Sequence, residues 1–256
     1  MRNERVAVSV IKRIATLLKR KRSAAHLGIR FQRSATFRLP SSIRLNGRMQ
    51  SLKLPDENGI KVAFIDLLLD DCYGCGVMKQ RGEQVKTILD IGGNVGLFGI
   101  AARDAFPTAK IHSYEPNGLL EPYLSNQARV ARFDYFMEAV GLERGMVSLA
   151  IHEDSVRTRS VQGGKGSIPQ IAFREAIERL GGQVDLLKVD CEGDEWNLFK
   201  DRESWRNVKH LCIEYHLFNS GHTEQGVKET LKGLGFKITS FVPIANFGLA
   251  TATRRT

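Results

Sequence analysis

The chain has 256 residues, 42% hydrophobic and 26% charged, with 24 Gly, 7 Pro and 4 Cys. This composition excludes collagen-like, disordered and disulfide-scaffold proteins, and no run approaches the roughly 20 apolar residues of a membrane span. The net charge of +10 is uneven: residues 1–53 hold 14 Lys/Arg against Glu4 alone, while the other 203 residues hold 24 basic and 27 acidic residues. The excess is a basic arm, not a nucleic-acid-binding body.

Residues 1–40 read as that arm. At 100° per residue, Val6, Ala7, Val8, Val10, Ile11, Ile14, Ala15, Leu17 and Leu18 fill one arc of a helix over 5–20. Arg5, Ser9, Lys12, Arg13, Thr16, Lys19 and Arg20 fill the other. Such a helix suits peripheral contact with an anionic membrane, or packing on the domain with its cations solvated; organelle import ranks third. Cations interrupt the apolar stretch, so it does not read as a secretory signal, and a cytoplasmic location is expected.

Residues 41–80 read as an N-terminal cap of short strands and turns. Asn46-Gly47 marks a hairpin between Ser42–Arg44 and Met49–Leu54, and Val62–Leu69 is a further apolar run. From residue 81 to 256 the pattern is that of a single α/β domain, a Rossmann-like, doubly wound, mostly parallel sheet. The expected strands are 86–91, 110–115, 134–140, 184–190 and 208–215. The expected helices are 95–105, 118–130, 170–181 and 222–233, with a closing hairpin at 236–241 and 247–252. Residues 153–167 read as a polar loop, either a connection or a lid carrying Arg157, Arg159 and Lys165.

The chemistry sits at the strand ends. Ile88-Leu89-Asp90-Ile91-Gly92-Gly93-Asn94-Val95-Gly96 is an apolar strand, an acid, and a glycine turn opening a helix. Asn94 breaks the dinucleotide G-x-G-x-x-G pattern. A carboxylate at that turn would repel a pyrophosphate and suits a ligand with ammonium and sulfonium cations, which describes S-adenosylmethionine. Glu115, 23 residues beyond Gly92, stands where an acid reaches ribose hydroxyls, and Pro116 stops its strand. Glu138 and Ala139, at the third strand's end, would frame the adenine.

The fourth strand ends Lys188-Val189-Asp190-Cys191-Glu192-Gly193-Asp194-Glu195. Asp190 and Glu192 are expected to hold the cofactor's amine or the substrate, or to act as general base. Asp194 reads as a helix-opening acid. His216, ending the fifth strand, is a third base candidate, with Glu214 to pair with it or orient substrate. No metal is expected, although Asp190, Glu192 and Glu214 together have the oxygen donors for a divalent cation. Cys72-Tyr73-Gly74-Cys75 lacks the partners of a zinc site, so all four cysteines are expected as reduced thiols.

The segments ILDIGGNVG at 88–96, YEPN at 114–117, LLKVDCEGDE at 186–195 and IEYH at 213–216 resemble the FkbM family of S-adenosylmethionine-dependent methyltransferases. The resemblance covers about residues 60–220. It departs at Gly93, where alanine is usual, and at Cys191, where an aliphatic residue is usual. It implies the class I methyltransferase fold and methylation of a hydroxyl on a small molecule, sugar, glycolipid or polyketide. The rivals are an RNA methyltransferase anchored by the basic arm, a non-catalytic membrane-associated protein on the same fold, and a nucleotide-dependent dehydrogenase. The slightly acidic body makes nucleic acid an unexpected partner.

Overall fold

A computed structural model of the chain describes residues 2–150, 159–161 and 166–255, with the backbone alone for 2–11 and 159–161. The first helix, α1 (Arg2–His26), is longer than the amphipathic stretch that predicts it. Its C-terminal half is docked. The Arg20 guanidinium grips Asp70 with Nε–Oδ1 at 2.8 Å, the Ser23 hydroxyl donates to the Leu69 carbonyl at 2.9 Å, and Ala24 is buried. Ile14 and Leu18 remain 52% and 50% exposed. No helix among the described residues is long and apolar enough to cross a membrane.

The Asn46-Gly47 hairpin forms as expected, joining β1 (Ser42–Leu45) to β2 (Arg48–Ser51). Both turn residues have positive φ, 49° and 80°, which matches the twist of the flanking strands. The apolar run after it is not a strand. It lies in α2 (Asn58–Phe64), which continues into a π-helical turn over Ile65–Leu69. Ile60, Phe64, Ile65 and Leu69 are buried at helical spacing, a pattern that a short, nearly unbroken apolar run conceals. A short α3 (Cys75–Gln80) follows.

The domain proper places β3 (Thr87–Ile91), α4 (Leu97–Ala105), β4 (Lys110–Tyr114), α5 (Glu121–Ala131) and β5 (Asp134–Phe136) in sequence. The expected third strand is split. After Phe136 the chain leaves the central sheet, and β6 (Ala139–Gly141) joins a second sheet with β7 (Gly145–Ala150), β8 (Arg159–Val161) and β9 (Ile168–Ala172). The helix expected from 170 therefore starts later, as α6 (Phe173–Leu180). Pro169 has no amide proton to donate, and Ile168, Gln170 and Ile171 are taken up in strand pairing. Of the 153–167 loop, Arg157 and Lys165 lie outside the described residues, and Arg159 belongs to β8.

The remaining elements are β10 (Val184–Val189), α7 (Glu195–Leu198), α8 (Arg202–Trp205), β11 (Val208–His216), α9 (Glu224–Gly233), β12 (Phe236–Ile244) and β13 (Phe247–Arg254). The central sheet runs β12-β13-β11-β10-β3-β4-β5, with β3, β4, β5, β10 and β11 parallel and the final hairpin antiparallel. This is the Rossmann-like order of the class I methyltransferase fold. The order reverses between β3 and β10, so a crevice opens beyond their carboxyl ends. Alternate β3 residues serve two cores. Ile88 packs with Ala24, Phe31, Phe64 and Phe98, while Leu89 packs with Phe173, Leu187, Trp205 and Ile213. The arm and cap residues thus share a core with the sheet.

Candidate active site

A cavity of about 690 Å³ fills the crevice, within the ordinary range for small-molecule sites. Its walls come from the ends of β3, β4, β10 and β11, from the cap helix α2, and from the β12–β13 turn.

The first wall is the glycine turn. Gly92 has φ of 81°, and a Cβ there would sit 1.7 Å from the Asp190 carbonyl oxygen, so glycine is required twice over. The amides of Gly92 and Gly93 both donate to the Tyr114 carbonyl at 2.9 Å. A Cβ at Gly93 would meet Ser113 Oγ at 2.2 Å, which accounts for glycine at that position. Asn94, at φ 48°, accepts from the Val95 amide at 2.8 Å, and Gly96 caps α4.

Asp90 is not on the cavity wall. Its side chain is fully buried beneath the turn, accepting from Ser113 Oγ at 2.7 Å with Oδ1 3.3 Å from Lys188 Nζ. The charge set against a phosphate is thus cancelled inside the protein, and Asp90 supports the turn rather than facing a ligand. Burial raises its carboxyl from the usual range, countered by Lys188.

Glu115 does face the cavity and is 7% exposed. Its two oxygens accept from the Asn94 and Asn117 amides, each at 2.8 Å, which fixes the carboxylate while leaving lone pairs for a ligand. Burial pushes it up to about 7. Pro116, Glu138 and Ala139 line the same end, and Glu138 is held by Arg179 at 2.6 Å.

The second wall is the acidic strand end. Lys188 is buried between Asp90 and Asp190, with Nζ 3.7 Å from Asp190 Oδ2, and also donates to the Gly92 carbonyl. Tyr73 reaches Asp190 Oδ2 at 3.4 Å. Glu192, Glu214 and His216 line the cavity beside Asp190, so the expected catalytic residues do converge. His216 Nδ1 is 3.0 Å from Glu195 Oε1, and Nε2 is 3.6 Å from both Glu192 and Glu214. Burial would lower the imidazole, but the hydrogen bond to Glu195 and the nearby carboxylates of Glu214, Glu195 and Glu192 outweigh it, to about 10. Glu214 is pushed up to about 6 by burial and the Asp190 charge.

Sequence reasoning missed three groups. Lys188 alternates inward within an apolar strand, which is the signal that could have found it. Glu195, given no role in the sequence reading, is wholly buried and accepts from the Gly193 and His216 amides at 2.8 and 2.6 Å. The third is the apolar mouth of Val62, Leu67, Ile244 and Phe247. Burial raises both thiols of the C-x-x-C segment, Cys72 and Cys75, and Cys72 lines the cavity.

No protein-family model matches the chain. It is 24% identical over 225 residues to the methyltransferase sdnD of Sordaria araneosa, covering 70% of this chain and 84% of that one. It is 22% identical over 244 residues to the 31-O-demethyl-FK506 methyltransferase FkbM of Streptomyces tacrolimicus, covering 75% and 90%. By sequence the chain is FkbM-like. Among solved structures, the FkbM-like chain is similar to magnesium protoporphyrin IX methyltransferase from Synechocystis PCC 6803, with a TM-score of 0.48 and 12% identity over 79% of this chain and 87% of that one.

Proposed function

We propose that this chain transfers a methyl group from S-adenosylmethionine to a hydroxyl of an acceptor with an apolar framework. The similarity to curated methyltransferases supports methyl transfer in general; the hydroxyl acceptor is our own reading. The observation that carries it is the division of one cavity into two halves. One half pairs a tight glycine turn with Glu115, a fit for a ribose and an amino acid without phosphate. The other sets Asp190, Glu192, Glu214 and His216 against the apolar mouth.

Displacement at a sulfonium methyl is in-line, so the chain's work is alignment and the uptake of one proton. Glu115 would hold the ribose hydroxyls, and Glu138 and Ala139, which line the same cavity, would frame the adenine. We assign proton uptake to Glu214, whose raised value suits a base near neutral pH, with Asp190 and Glu192 beside it. His216, pinned through Nδ1 by Glu195, positions this end of the site in place of the base role its sequence position suggested. Radiolabelled S-adenosylmethionine with a panel of polyketide and glycolipid alcohols tests this. Glu214→Gln should lower turnover by about 100-fold or more while leaving S-adenosylhomocysteine affinity within about threefold. Cofactor binding with no transfer to any alcohol, or label passing to RNA, would contradict it.

The exposed Ile14 and Leu18, beside exposed Lys12, Arg13, Lys21 and Arg22, favour peripheral docking on an anionic lipid surface, where lipid-linked acceptors lie. Co-sedimentation with phosphatidylserine vesicles, lost in Ile14→Asp/Leu18→Asp, is the expected result; equal sedimentation of both proteins would overturn it.

A further inference from the structure

Asp190, Glu192 and His216 each offer one ligand-type atom, and the three atoms lie within 4.8 Å of one another. His216 Nε2 stands 3.6 Å from Glu192 Oε2 and 3.6 Å from Glu214 Oε1, too far for a direct hydrogen bond. Two donors sharing an ion at about 2.1 Å each lie roughly 3.0–3.4 Å apart, close to the His216–Glu192 spacing, with the Asp190 atom within 4.8 Å of both.

A second observation points the same way. The His216 side chain is 6% exposed, yet its Nε2 opens onto the carboxylates. Its Nδ1 is taken by Glu195, which is itself wholly buried and fixed by two backbone amides. A carboxylate that holds Nδ1–H aims the Nε2 lone pair outward, as in carboxylate–histidine–metal arrangements. Charge agrees. Asp190, Glu192 and Glu214 share this end of the cavity, and among the described residues that line it the one lysine, Lys188, is already divided between Asp90 and Asp190.

We propose that Asp190, Glu192 and His216 bind one divalent cation, with Mn²⁺ suited to two carboxylates and an imidazole. The cation takes the place of the proton on Nε2. Its role rests on the methyl-transfer reading. The acceptor oxygen binds the ion, its proton passes to Glu214, and an O–CH₃ bond forms as the S–CH₃ bond breaks. The sulfonium leaves as a neutral thioether.

Titration of the full chain with Mn²⁺, followed by loss of the free-ion paramagnetic resonance signal, tests the site. One ion per chain is expected. Glu192→Gln and His216→Ala should each weaken binding at least about tenfold, and Glu195→Gln about 10- to 100-fold by releasing the imidazole. Glu203→Gln, on the surface, should change nothing. Thermal melts without metal identify any variant that fails to fold, and Glu192→Gln, which keeps shape and volume, then decides. A free-ion signal untouched by the wild type, or binding indifferent to Glu192→Gln, would overturn the proposal. S-adenosylhomocysteine binding is measured separately: Mn²⁺ without it retains this site and refutes the methyltransferase reading, and the converse result does the opposite.

Discussion

The two walls of the crevice stand on the neighbouring strands β3 and β10 and are built by opposite means. The glycine turn is fixed by backbone: positive φ angles, amides shared on the Tyr114 carbonyl, and a Gly92 that leaves no room for a side chain. The acidic strand end is fixed by side chains, with Lys188 and His216 each held between carboxylates. A wall made of backbone fails when bulk is added. A wall made of charge fails when a partner is removed.

Lys188→Met should have the largest effect, because it leaves Asp90 buried without its cation. We expect a loss of about 3–5 kcal/mol in urea unfolding. Adding Asp90→Asn should recover part of it, since both partners are then gone; no recovery would mean that Lys188 serves the Gly92 carbonyl rather than the charge. Gly92→Ala tests the other wall. Strain at positive φ together with the backbone clash should cost at least about 3 kcal/mol, seen as a fall of roughly 6–12 °C in Tm.

Glu115→Gln should be milder, weakening S-adenosylhomocysteine about tenfold through lost charge-assisted hydrogen bonds. The wild type carries a pH signature there. Ribose hydroxyls donate to the ionised carboxylate, and burial holds that group near pH 7, so affinity should rise from about pH 6 to about pH 8. The glutamine variant should lose that slope in calorimetric titrations. Stability in the unliganded state runs the other way: the raised value favours the folded form below the ordinary glutamate range, and that gain is lost as pH climbs through about 7. The smallest effect belongs to Arg20→Ala, remote from both walls. Its half-buried pair with Asp70 should contribute no more than about 1 kcal/mol, measured by the same urea titration.

The walls also differ in how legible they are. Gly92, Asn94 and Glu115 follow from a local pattern, an apolar strand running into a turn, and the structure places them on the cavity wall. The role of Asp90 was misread because its partner, Lys188, lies 98 positions away and meets it only across paired strands. Glu195 shows the same difficulty in a subtler form: an acid opening a helix is indistinguishable in sequence from an acid buried against a histidine 21 residues on. The cap was misread for another reason, since Val62–Leu69 carries apolar residues on every face and hides its helical period. The second sheet was missed because its strands are short and β6 looks like a continuation of β5.

Methyl transfer in this crevice requires one cavity with a cofactor half and an acceptor half. Calorimetric titration of S-adenosylhomocysteine into the wild type, Glu115→Gln and Glu214→Gln tests this most directly. We expect micromolar binding to the wild type, about tenfold weaker binding to Glu115→Gln, and a change within threefold for Glu214→Gln. No binding to the wild type, or a loss confined to Glu214→Gln, would contradict it.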